Sequence, residues 1–261
     1  MIPIIAIANL TNGIISALLA ARLYARYKKS MPSGQRSEGV RYFIAFYTCI
    51  AIMWLLYATP GLVVSDLYLI MILQSLGDVL VYAGSIIAVQ IAFLALNRRG
   101  AGTIVSIGLA TTALVYILGR VLNPHSHIVS EVAPYIYWHA DIPGWLAIMT
   151  GLAAAVSSVI FITTFVMLSW RARDNADVFR RSMSLASGML LLFAASLIFF
   201  VFSTGGFIPA MTASLLGIAG LLITLRGIPH RNEPSDSNTP ADLIPTKTPQ
   251  EKRSERVNRF N

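Results

Sequence analysis

The chain has 261 residues, 56% of them apolar and only 12% charged, with a formal net charge of +8 and a mean hydropathy of +0.66. Soluble domains carry roughly a quarter charged residues, so this chain lacks the polar surface to cover a soluble globule. A disordered chain, a collagen and a cytosolic enzyme are excluded, and the single cysteine, Cys49, excludes a disulfide scaffold.

A membrane-crossing helix needs about 20 mostly apolar residues. Seven stretches meet or approach that length: 2–22, 42–64, 67–96, 103–122, 145–169, 183–203 and 206–226. The first has no basic segment before it and is followed by Arg22, Arg26, Lys28 and Lys29, so it reads as a spanning helix and not a cleavable signal. A basic loop separates it from the second, and a Ser65-Asp66 turn leads into the third. Asn97-Arg98-Arg99-Gly100 closes the third, a longer polar loop (123–144) follows the fourth, and a second basic loop (171–181) follows the fifth. The predicted fold is an all-α membrane protein of seven transmembrane helices over 1–226. Residues 227–261 are rich in Pro, Ser, Thr and mixed charge, which predicts a disordered polar tail.

Fourteen Lys and Arg precede residue 227. If the spans alternate, thirteen fall on one side and only Arg120 on the other. The positive-inside rule then predicts the N-terminus outside and the C-terminus in the cytoplasm, in a plasma or inner membrane. The +8 reads as topology and not as nucleic-acid binding; the lipid bilayer is the expected partner.

Within the spans, polar residues carry the information. Asp78 is the one acidic residue well inside a span, where a charged carboxylate costs about 2.5–3.5 kcal/mol or more. At helical spacing Gln74, Asp78, Tyr82 and Ser85 lie within roughly 80° of arc on one face of the third span. At 1.5 Å per residue Asp78 sits about 18 Å from the outer end, and Asn9 and Asn12 about 10–15 Å from it. Tyr57, Thr59, Ser157, Ser158, Ser196, Thr212 and Ser214 fall at similar depths. This predicts an outward-facing cavity with Asp78 near its floor and Asp78, Gln74, Tyr82, Asn9 and Asn12 as ligand-binding residues. The alternative is that these groups only join helices by hydrogen bonds.

The polar loop holds three of the four histidines, His125, His127 and His139, with Glu131 and Asp141. Imidazoles and carboxylates together suit zinc, copper or iron, so these five residues form a candidate metal site. Tyr and Trp in the same loop favour an interfacial segment instead. Arg120 would pair with Glu131, Asp141 or Asp66, or extend to headgroups. All four lysines (Lys28, Lys29, Lys247, Lys252) lie outside the spans, so retinal is excluded as a cofactor. Asn97-Arg98-Arg99 and the absence of Asn-Pro-x-x-Tyr set the chain apart from aminergic G-protein-coupled receptors. The clustering of the histidines in one loop sets it apart from alkaline ceramidases.

Arg22-Leu-Tyr-Ala-Arg26, Trp54, Gln74-Ser75-Leu76-Gly77-Asp78 and Asn97-Arg98-Arg99 give residues 1–226 a resemblance to the seven-helix sensor region of bacterial histidine kinases. That resemblance implies a membrane sensor. No kinase domain follows the last span, so output would pass through a separate cytoplasmic signalling partner or the tail. The leading expectation is a sensor or receptor-like module binding a small ligand, cations included, around Asp78. A carrier using Asp78 as its ionisable site is the alternative, and a membrane enzyme built on the histidine loop ranks third. No catalytic residues are assigned.

Overall fold

In a computed structural model the described residues are 2–30, 38–63, 65–123, 127–132, 134–140, 142–201 and 207–228. They form seven helices: α1 (Ile4–Ser30), α2 (Glu38–Ala58), α3 (Leu67–Ala95), α4 (Arg99–Leu122), α5 (Gly144–Arg171), α6 (Ala176–Val201) and α7 (Phe207–Gly227). Each contains a segment long and apolar enough to cross a membrane, the make-up of a multi-pass membrane protein. The histidine-bearing stretch corrects one expectation. It is not an irregular loop but an antiparallel ribbon, β1 (His127–Val132) paired with β2 (Tyr135–Ala140). Two β-rich runs, Ile128-Val129 to Val132 and Tyr135-Ile136-Tyr137-Trp138, flank a two-residue connection, which is a hairpin pattern. Ile2 joins the ribbon: its N–H donates to the Pro134 carbonyl (3.0 Å), and its carbonyl accepts from Ile136 (3.2 Å). The tail predicted at 227–261 lies, past Ile228, outside the described residues.

Local chemistry sets the helix ends. Asp66 caps α3, accepting from Leu69 N–H at 2.8 Å. Thr59-Pro60-Gly61 ends α2 six residues before the predicted 64, because a residue before proline avoids helical backbone and Gly61 takes φ 76°. Asn97, at φ 55°, turns α3 into α4; asparagine tolerates this left-handed conformation better than most residues.

Six helices form a closed ring, α1–α2–α3–α5–α6–α7 and back to α1, while α4 packs outside it against α3 and α5. One core cluster lies inside the ring around Leu19, Phe43, Tyr47, Phe161 and Leu221. Tyr47, fully buried on α2, donates to the Leu221 carbonyl of α7 at 3.2 Å. A second cluster, with Tyr82, Tyr116 and Leu146, fills the α3–α4–α5 seam. Outward faces expose large apolar side chains such as Leu18, Ile104, Val121 and Trp170, as a lipid-facing surface requires. Gly188 and Gly220 bring the α6 and α7 backbones together, since a Cβ on either would meet the other's carbonyl oxygen or the chain beside it.

Candidate functional site: a carboxylate held by two tyrosines

Asp78 lies one turn from Gln74 on α3 and is only 3% exposed. A buried carboxylate is tolerated where its lone pairs are satisfied. Tyr57, at the end of α2, donates its hydroxyl to Asp78 Oδ1 at 2.5 Å, and Tyr116 of α4 donates to Oδ2. Hydrogen bonds to a charged acceptor are short and strong. Three helices are thus joined through one side chain.

Each tyrosine is itself held. The Tyr57 ring stacks on Phe199 of α6 (centroids 5.4 Å, interplanar 25°) and meets Trp54 edge-on at 6.1 Å. Gly77, beside Asp78, leaves room for that ring: a Cβ there would stand 2.5 Å from Tyr57 Cε1. The Tyr116 ring lies 5.6 Å from that of Tyr82. Thr150 donates its hydroxyl to the Leu146 carbonyl (3.1 Å), so Tyr82 is the donor in its 3.2 Å contact with Thr150.

Arg120 follows Tyr116 by one turn of α4 and corrects a second expectation. It does not reach out to headgroups or to Asp66; it turns inward, 8% exposed. Its Nε and Nη2 donate to Ser75 Oγ at 3.1 and 3.0 Å, and Ser75 donates to the Met71 carbonyl. Nη1 is sealed and, among the described residues, has no hydrogen-bond partner. Among the described residues Arg120 makes no hydrogen bond to Asp78; it lies one helical turn from Tyr116, which donates to that carboxylate. Two rungs therefore cross the α3–α4 interface: Asp78 with Tyr116, and Ser75 with Arg120.

Asn9 and Asn12 join helices. Asn9 Nδ2 donates to the Tyr57 carbonyl (3.2 Å), and its Oδ1 accepts from Ser214 of α7 (3.0 Å). Asn12 Nδ2 donates to the Ser214 carbonyl (3.2 Å). Asn9 thus anchors the end of α2 that carries Tyr57. Gln74 is half-buried near the start of α3.

A cavity of about 90 Å³ opens between α2, α3, α5 and α6. Ser85, Ser157, Ser158 and Ser196 are among its lining residues, and Phe46 and Met189 are among the apolar ones. Asp78, Gln74, Tyr82, Asn9 and Asn12 do not line it; the carboxylate lies behind the wall. Tyr57 is the residue that belongs both to the wall and to the carboxylate cluster. Tyr116 went unnoticed in the sequence, although Tyr116-x-x-x-Arg120 places phenol and guanidinium on one face of a helix.

Of the candidate metal ligands, His125 and Asp141 lie outside the described residues. The backbone register pairs His127 with Ala140, His139 with Ile128 and Glu131 with Ile136. Among the described residues no three His, Cys, Asp or Glu gather to hold a metal.

No known family model matches the chain, and no curated protein matches it.

Proposed function

We propose that the chain is a receptor-like membrane sensor whose ligand occupies the α2–α3–α5–α6 cavity and acts on Asp78 through Tyr57. The observation that carries this reading is the double position of Tyr57: its ring forms part of the cavity wall while its hydroxyl holds Asp78 Oδ1. A ligand that moves the ring removes one of two donors from a buried carboxylate. Such a bond contributes about 1.5–3 kcal/mol, so an occupant sensitive to it shifts a two-state equilibrium by roughly 10–150-fold. The membrane orientation in this reading has the N-terminus outside, supported by thirteen of fourteen Lys and Arg before residue 227 gathering on one side of alternating spans. The likeness to histidine-kinase sensor regions fits the same reading, with output passing to a cytoplasmic partner at a plasma or inner membrane.

A carrier is the second reading, and one contact favours it. Gln90 Nε2 donates to Ser106 Oγ at 2.8 Å, a polar pair further along α3 past Asp78. Reconstituted vesicles under an imposed pH gradient separate the two. The sensor reading expects wild-type and Asp78→Asn vesicles to leak protons equally, with the variant changing the distance between spin labels on α4 and α6. Proton flux that Asp78→Asn abolishes would overturn it.

A further inference from the structure

The cavity's chemistry is not that of a cation site. No lining residue among those described is charged, and Asp78 does not line the space, whereas its donor Tyr57 does. Ser85 of α3 and Ser158 of α5 are buried (6% and 4% exposed) and line the cavity. Among the described residues neither hydroxyl has a hydrogen-bond partner, whereas Ser157 donates to the Ala154 carbonyl. Neither hydroxyl is sealed, unlike Asn12 Oδ1, Trp54 Nε1 and Arg120 Nη1, so both are reachable from the cavity. Gly84, also on the wall, faces empty space: a Cβ there would meet nothing within 4 Å. A site needs roughly 10–15 Å³ of such space to hold one water, so about 90 Å³ leaves room for a compact small molecule.

Resting on the receptor reading, we infer that the ligand is a small neutral amphiphile: a compact aliphatic or alicyclic body with one hydroxyl, the body against Phe46 and Met189 and the hydroxyl on Ser85 and Ser158. A cation of the same shape would enter a wall with no counter-charge, which desolvation penalises. A hydrocarbon of the same shape would leave both serines unpaired.

Three probes of one shape test this on the full-length protein in nanodiscs: cyclohexanol, methylcyclohexane and cyclohexylammonium. Saturable binding is measured against empty nanodiscs to remove lipid partitioning. The expected order is cyclohexanol about tenfold tighter than methylcyclohexane, with no saturable binding of cyclohexylammonium. Ser85→Ala with Ser158→Ala should erase the preference for cyclohexanol while methylcyclohexane still binds. Gly84→Leu, which fills the space, should abolish binding of both. Should that variant fail to fold, Gly84→Ala is the substitute, with weakened binding of both probes expected. Cyclohexylammonium binding as tightly as cyclohexanol, or cyclohexanol binding that both Gly84 variants leave unchanged, would overturn the inference. Cyclohexanol that binds as expected without moving the α4–α6 label distance sustains the ligand class and overturns the receptor reading instead. Absent cyclohexanol binding, with the label distance still responding to Tyr57→Phe, overturns the ligand class and leaves the receptor reading in place.

Discussion

Gly77 and Gly84 lie two helical turns apart on the same side of α3, yet adding one methyl group to each should have opposite consequences. At Gly84 the new Cβ enters open space, and exchanging a helical glycine for alanine gains up to about 1 kcal/mol from the reduced freedom of the unfolded chain. At Gly77 the same methyl stands 2.5 Å from Tyr57 Cε1 and 3.0 Å from Cδ1. That ring cannot yield freely, because it is stacked on Phe199 and bonded to Asp78. Overpacking of this kind costs about 1–3 kcal/mol, and displacing the ring adds about 1.5–3 kcal/mol for the charged hydrogen bond. After the alanine gain is subtracted, Gly77→Ala should destabilise the protein by about 1.5 kcal/mol or more, and Gly84→Ala should be neutral to stabilising. Denaturant titration of detergent-solubilised protein, followed by circular dichroism, reads both. Gly77→Ala should also lose the added cost when combined with Tyr57→Ala. Equal effects at the two glycines, or a Gly77→Ala penalty that persists without the Tyr57 ring, would refute the reasoning.

Tyr57→Phe and Tyr116→Phe should each destabilise by about 1.5–3 kcal/mol. Because they share one carboxylate, a double-mutant cycle should show a coupling energy above about 0.5 kcal/mol in magnitude; strict additivity would contradict the shared acceptor. Arg120→Leu should destabilise wild type by about 2 kcal/mol or more, by leaving Asp78 without the nearby cation, and should cost distinctly less in an Asp78→Asn background. Asn9→Ala removes bonds to both α2 and α7 and should cost about 1–2 kcal/mol, with a loosened α2 end visible as faster hydrogen exchange near Tyr57. By contrast, the exposed Arg99–Glu38 ion pair, with side chains 65% and 41% exposed, should contribute under about 1 kcal/mol, and Glu38→Gln should leave the denaturant midpoint nearly unchanged.

The seven helices were legible because length and apolarity alone mark a span. Their ends were less so. α1 continues past Arg22 to Ser30 because charge disfavours the hydrocarbon and not the helix. α6 starts at Ala176 and not 183, where Asn175 Oδ1 caps Val178 N–H at 3.2 Å. The polar face of α3 was visible by periodicity, but its residues meet different surroundings: Asp78 meets tyrosines of α2 and α4, Tyr82 packs in the α3–α4–α5 seam, and Ser85 lines the cavity. Which helix stands opposite Asp78 depends on packing order, which no single helix encodes, so the shared face of Tyr116 and Arg120 is legible in the sequence but its pairing with Asp78 and Ser75 is not. The ribbon was missed because polar residues interrupt its β-forming runs.

A ring of six helices is over-determined: each member is gripped from both sides, and none can slide far without straining two seams. α4 stands outside that constraint. It is the least buried of the seven among the described residues, and displacing it would leave every contact around the ring in place. Yet it holds both Tyr116, a donor to the buried carboxylate, and Arg120, a buried cation one turn further along the helix. The helix with the least packing to lose is therefore the one that sets the polarity around Asp78, so mechanical compliance and electrostatic control coincide in a single element.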